Sequence, residues 1–503
     1  VAEFKFDIPD QGLQYVGSTR IDGPLVVVDR IRDVGFDETV EIFDPQGRPR
    51  LGRVLDISDT QAVIQVLEGT TGLSNQATRA RFLGESFRLP VSKQMLGRVF
   101  DGLGRPVDGG PPALSVDRRD INGLPINPFA RRYPREFIQT GISAIDGLNS
   151  LVRGQKLPIF SGNGLPHDRM AAQVVRQARL LEGKVDFSIV FGAMGVKHDV
   201  AEFFIRNFEN SGVLSRVTMF LSLADAPSVE RLLTPRAAST LAEHLAFDCG
   251  QHVLVLLTDM TNYCESLREV GTARGEIPGR KGYPGYLYSD LASLYERAGR
   301  IEGSAGSITQ MAILTMPSDD ISHPVPDLTG YITEGQIVLD RELNQRGVYP
   351  PVSCLPSLSR LMKDGVGKGY TREDHPRLAS QLFACYARVK QVRGLADVVG
   401  EEELGPLDKQ YLKFGETFER HFVAQGEYEN RSIEQTLEIG WDTISILPRD
   451  ELHRLTDELL KAHYRDSHTP AAAPAVEMPA PEESARGSAP GQPVVPAKRP
   501  NHG

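Results

Sequence analysis

Between residues 136 and 360 the chain alternates short, almost unbroken apolar runs with amphipathic stretches. The runs are LPIF (157–160), FSIVFG (187–192), VTMFLSL (217–223), HVLVLLTD (252–259) and ITQMAILTM (308–316). Segments such as HDVAEFFIRNFENSG and ERLLTPRAASTLAEHLAF separate them, with apolar residues three and four apart. A strand that is apolar on both faces needs cover on both sides. Helices interleaved with such strands supply that cover, which predicts a central α/β domain with a mostly parallel sheet.

The flanks follow other rules. Residues 1–75 hold LVVVD, TVEIF, RLGRVLDI and AVIQVLEG between Gly, Pro, Asp and Asn turns. Short strands at spacings near ten residues predict a small barrel or sandwich. A Gly/Pro-rich connector covers residues 76–135, and its recurring apolar residues predict that it packs on the central domain, giving one unit over 76–360. Residues 361–465 carry helical periodicity, as in DHPRLASQLFACYARVKQVRGLADVV. The last stretch, 466–503, has eight prolines in 38 residues and too few large apolar groups to form a core, so a disordered Pro/Ala-rich tail is expected there.

At 503 residues, two to four domains are expected. The formal charge of -10 argues against a protein that binds nucleic acid mainly by electrostatics. No apolar run approaches the roughly 18 residues that span a bilayer, and VAEFKFDIPD has no basic region before an apolar stretch. If the protein works at a membrane, other subunits must hold it there. Cys249, Cys264, Cys354 and Cys385 are scattered without CxxC spacing, which fits reduced, mostly buried thiols.

The run 157–178 has the frame of a phosphate-binding loop: apolar strand, glycine-rich turn, amphipathic helix. A working loop reads G-x-x-x-x-G-K-[ST], with backbone N–H groups cradling phosphate, the Lys neutralising it and the hydroxyl binding Mg²⁺. Here the eight positions are Ser161, Gly162, Asn163, Gly164, Leu165, Pro166, His167 and Asp168. All four defining positions differ. Pro166 has no N–H to give, His167 is shorter than Lys and mostly neutral at pH 7, and Asp168 repels phosphate. A turn that merely joins strand to helix reads the same way. Asp259, ending LVLLTD, stands where the Mg²⁺-linked Asp of such ATPases stands, although a strand ending in Asp is common.

Two longer segments are more specific. YCESLREVGTARGEIPGRKGYPGYLYSDLASLYERAGR (263–300) and SHPVPDLTGYITEGQIVLDRELNQRGVYPPVSCLPSLSRLMKDGVG (322–367) closely resemble the B chain of V-type and archaeal-type rotary ATPases. The likeness runs from residue 1 to about 465. It implies an N-terminal β-barrel, a central P-loop-NTPase-like domain and a C-terminal helical bundle. It also implies a non-catalytic, regulatory chain alternating with three catalytic A subunits in a three-plus-three ring, with central and peripheral stalk subunits. Such a chain reaches the cytoplasmic face of a membrane only through other subunits. The resemblance places Val196, after Gly195, where catalytic relatives carry the Glu that orients water. A valine can neither take a proton nor polarise water. It gives no nucleotide or metal of this chain's own, but Mg-ATP or Mg-ADP at the interface with A. Arg360, in LPSLSRLMKDG, matches the arginine supplied across that interface, and Tyr331, in LTGYITEGQ, borders it.

Three other functions compete. A self-sufficient NTPase would need the missing Lys, Ser/Thr and Glu. An RNA-binding, helicase-like member of a hexamer would need an intact loop and a basic or aromatic platform. A ring-shaped scaffold would need no role for Arg360.

Overall fold

The computed structural model describes residues 13–18, 20–115, 117–181 and 187–465. The tail read at 466–503 lies outside the described residues, as does the N-terminal stretch 1–12.

Seven antiparallel strands form the N-terminal sheet, in the order Leu13–Val16, Arg79–Ser86, Glu38–Phe43, Pro49–Ile57, Gln61–Val66, Leu25–Asp29 and Arg20–Asp22. The sheet curls around Val26, Val40, Ile42, Val54, Ile64 and Phe82. All four runs read from the sequence are strands of it. The sheet also takes in Arg79–Ser86, past residue 75, because those residues pair with both Leu13–Val16 and Glu38–Phe43.

The connector packs on the central domain. Leu89, Met95, Phe100 and Ile121 join a buried cluster with Phe220 and Leu233. Val99–Asp101 adds itself to the edge of the central sheet beside Val217–Leu223, and Phe100 stacks on Phe220 at 5.7 Å.

Across the central sheet the order is Val352–Ser359, Gly335–Leu339, Ile159–Gly162, Ser307–Met316, His252–Thr258, Ser188–Val196, Val217–Leu223 and Val99–Asp101. Every neighbouring pair is parallel except Val352–Ser359 with Gly335–Leu339. Alternate residues feed two cores. Ile189, Phe191 and Ala193 face one cluster, while Val190 and Met194 face the other. That is why the apolar runs are continuous. Gly335–Leu339 and Val352–Ser359 are strands beyond those expected from the apolar runs. The second contains Pro356, which a strand tolerates at an edge, where no neighbour needs its missing N–H.

The C-terminal helices His375–Val399, Pro406–Thr417, Ile433–Ile444 and Asp457–His463 pack around Trp441, whose indole N–H donates to Asp374 at 2.6 Å. Their apolar faces share one buried cluster with the central sheet. Among the described residues no helix is long and apolar enough to cross a membrane. The cysteines are free, with Cys264, Cys354 and Cys385 buried and Cys249 partly exposed.

Candidate functional site: a loop and an arginine at opposite sheet edges

Strand register places the two halves of the candidate site. Ile159 pairs with both Ile313 and Ile337. Gly162, Met316 and Leu339 therefore end their strands at the same, carboxyl edge of the sheet. The segments that follow meet there. Such an edge is where open α/β sheets bind ligands.

The loop Ser161–Asp168 occupies that edge and is held largely by itself. Ser161 is buried, and its hydroxyl lies 2.9 Å from Nδ1 of His167. Gly164 takes φ +79°, a conformation suited to glycine, and so allows the tight turn. The Leu165 N–H donates to the Gly162 carbonyl, and the His167 N–H donates to the Leu165 carbonyl. Pro166 precedes the helix His167–Gln177, which has no side-chain cap.

Acidic groups crowd the loop. Burial raises the pKa of Asp168, and Asp259 and Asp199 facing it push the same way, against the pull of His167. Asp319 reaches in from the turn after Ser307–Met316, and Arg341 holds it with bonds of 2.6 and 2.9 Å. The Arg341 bond keeps the Asp319 carboxyl below its usual range. Arg341 also donates to the Asn163 carbonyl at 2.9 Å. A Cβ on Gly162 would stand 2.1 Å from Asp319 Oδ1, so this carboxylate lies directly against the loop. One cradle position lacks an N–H, the histidine is engaged internally, and the Asp319 carboxylate lies against Gly162.

Asp259 caps the helix Met260–Ala273 by accepting from the Thr261 N–H at 2.8 Å. The same oxygen accepts from the Thr315 N–H at 3.1 Å, stitching two strands together. Val196 ends Ser188–Val196, is buried, and packs in the core with Phe191 and Phe204. Gly195 takes φ +64°, and its carbonyl accepts from Asn262.

Arg360 is elsewhere. It follows Val352–Ser359, whose Ser359 pairs with Gly335. Because Ile159 pairs with Ile337, Gly335 is level with Leu157, five residues short of Gly162. At roughly 3.3 Å per residue, that puts Arg360 about 16 Å down the strands, at the amino edge. Its guanidinium donates to the carbonyls of Thr333 at 3.0 Å and Gly330 at 3.3 Å, at the carboxyl end of the helix Pro324–Ile332. Tyr331 lies between those two residues and is 74 % exposed. The structure thus brings Arg360 and Tyr331 together and separates both from Ser161–Asp168 and Asp259. Asp319 and Arg341 are site residues that the sequence motifs do not point to. The signal for them is positional: each sits within three residues after a strand that ends beside Gly162.

Taken together, these features define a three-domain protein of nucleotide-binding type. Residues 18–84 match the model of the ATP synthase alpha/beta family β-barrel domain, and residues 141–359 match that family's nucleotide-binding domain. Residues 364–464 match the C-terminal domain of V and A type ATP synthase. The V-type ATP synthase beta chain of Halothermothrix orenii is 62% identical over 454 residues, which is 90% of this chain and 98% of the relative. The B chain of the A-type ATP synthase of Aeropyrum pernix is 57% identical over 451 residues, 90% of this chain and 97% of the relative. Among solved structures, an ATP synthase subunit from Nanoarcheaum equitans superposes with a TM-score of 0.67 at 42% identity, covering 84% of this chain and 98% of that one. The chain belongs to the ATP synthase alpha/beta family, among the B (beta) chains of its V-type and A-type members.

Proposed function

We propose that this chain is the non-catalytic, regulatory partner in its complex. It alternates with three catalytic A subunits in a ring joined to central and peripheral stalks, at the cytoplasmic face of a membrane that other subunits span. Mg-ATP or Mg-ADP is held by A at the interface. Arg360 lends its charge to that nucleotide, and this coupling of ATP synthesis or hydrolysis to the ring's motion serves ion transport. Tyr331 borders the same interface.

The observation that carries this reading is the separation of Arg360 from the loop of its own chain. An arginine whose backbone lies about 16 Å from Gly162 along the strands serves a neighbour's phosphates rather than its own. The way Arg360 is held supports this. Both side-chain bonds go to neutral carbonyls at a helix carboxyl end, which orient the cation without cancelling its charge. Its planar fork suits the charge spread over phosphoryl oxygens as the bond to the leaving group stretches. In the reconstituted complex, Arg360→Ala should lower kcat for ATP hydrolysis about 10³-fold or more. Ring assembly, followed by sedimentation, should stay as in wild type. Activity close to wild type in an assembled Arg360→Ala ring would overturn the reading and leave a scaffold.

A further inference from the structure

Lys156 is 3 % exposed, and a buried ammonium is retained only where partners offset its lost hydration. It precedes the strand Ile159–Gly162, and its ammonium lies 2.6 Å from Glu334 Oε1 and 3.2 Å from Glu296 Oε1. The other Glu334 oxygen accepts the Lys156 backbone N–H at 2.8 Å. Both carboxylate oxygens of Glu334 are therefore fixed by one residue. Arg131 closes the far end of the network on Glu296.

The backbone of Glu334 is fixed as well, and it is what holds Arg360. The Glu334 carbonyl accepts the Arg360 backbone N–H at 2.9 Å and the Gln155 side-chain amide at 3.2 Å. The same Gln155 amide donates to the Ser359 hydroxyl at 2.9 Å. A Cβ on Gly335 would stand 2.0 Å from the Leu358 carbonyl, so the two strands are close-packed just where Arg360 begins. Thr333, one residue before Glu334, supplies a carbonyl to the guanidinium. Any shift of Glu334 moves both the backbone and the side-chain anchors of Arg360.

We propose that the buried Lys156–Glu334 pair is a positioning device for Arg360, with Lys156 and Glu334 as positioning residues for phosphoryl transfer at the neighbouring chain. The inference rests on the reading of Arg360 given above. A misplacement of about 1 Å in a group that acts on a transition state costs rate much more than substrate binding. The pair therefore acts on kcat.

The test is ATP hydrolysis by the reconstituted complex with Lys156→Met, Glu334→Ala and Glu334→Gln, each alone and with Arg360→Ala. Lys156→Met and Glu334→Ala are each expected to lower kcat at least about tenfold, with KM for ATP within about twofold and the ring assembled. Glu334→Gln keeps an oxygen acceptor for Lys156 and should retain more activity than Glu334→Ala. In the Arg360→Ala background either change should cost less than about twofold further, because the group being positioned is gone. Wild-type kcat in assembled Lys156→Met and Glu334→Ala rings, beside a collapsed Arg360→Ala ring, overturns the positioning role alone. Losses that multiply with Arg360→Ala overturn it too. A harmless Arg360→Ala instead overturns the functional reading on which it stands.

Discussion

Glu419 lies on the π-helical turn Phe418–Val423 with its side chain buried, and three partners converge on it. Arg393 donates twice, at 2.7 and 3.0 Å, Arg346 donates from the central domain at 2.8 Å, and the Tyr386 hydroxyl donates at 2.7 Å. Burial pushes its carboxyl up, but the bonds from Arg393, Arg346 and Tyr386 outweigh it and bring the pKa down to about 2. Glu419→Gln leaves two guanidinium groups short of their counter-charge, and thermal or urea unfolding should register a loss of about 3 kcal/mol. His375 behaves as a second acid-sensitive group. Burial lowers its pKa to about 4, and the neutral ring bridges the Thr371 hydroxyl and the Gly147 carbonyl. A base with a depressed folded pKa stabilises above its unfolded value and loses that contribution as protons bind. The melting temperature should fall as pH drops from about 6.5 to about 4. The Glu419 contribution is lost next, between about 4.5 and about 2. A His375→Phe chain whose melting temperature falls as steeply over the first window would refute this. None of this was legible in the sequence. A glutamate or histidine in a helical pattern reads as surface until the other domain is packed against it.

At the scale of elements, the loop Ser161–Asp168 was legible in outline. Strand, turn and helix appear where periodicity put them, and Pro166 sits at the helix start. What covers the loop was not legible, because Asp319 and Arg341 arrive from segments more than about 150 residues away. Calorimetric titration of the isolated chain with Mg-ATP should give no saturable binding at this loop. Tight binding that Asp168→Ala alters would contradict the internal pairing described here. Asp259 also belongs at this scale. It caps one helix and crosslinks a strand, so Asp259→Ala should destabilise the chain by about 2 kcal/mol, from a lost cap plus an unsatisfied Thr315 N–H. Urea unfolding measures this directly. In the assembled ring the same substitution should leave kcat within about threefold, in contrast to Arg360→Ala.

At the scale of the whole molecule, the separation of loop and arginine is a property of strand order. The sheet runs parallel from Gly335–Leu339 to Val99–Asp101, and only Val352–Ser359 turns back. That one reversal carries Arg360 to the edge opposite Gly162. Under the proposed reading, that edge faces a neighbouring chain. Purified at native abundance, this chain should leave the column with a larger partner that carries an intact phosphate loop, and mass spectrometry of the eluate would identify that partner.

The sequence by itself determined the class and order of the domains. Apolar periodicity and turn residues are local, and a two-sided buried strand is apolar whatever its neighbours are. It also determined that Ser161, Pro166, His167 and Asp168 stand at the four positions that define a working phosphate loop, each with a different chemistry from the residue such a loop needs. Only the tertiary structure decided that Asp319 and Arg341 lie against that loop and that Arg360 follows the opposite edge of the sheet. Both depend on the register and direction of strands far apart in the chain, and on charges such as Lys156 and Glu334 whose partners are set by packing rather than by spacing.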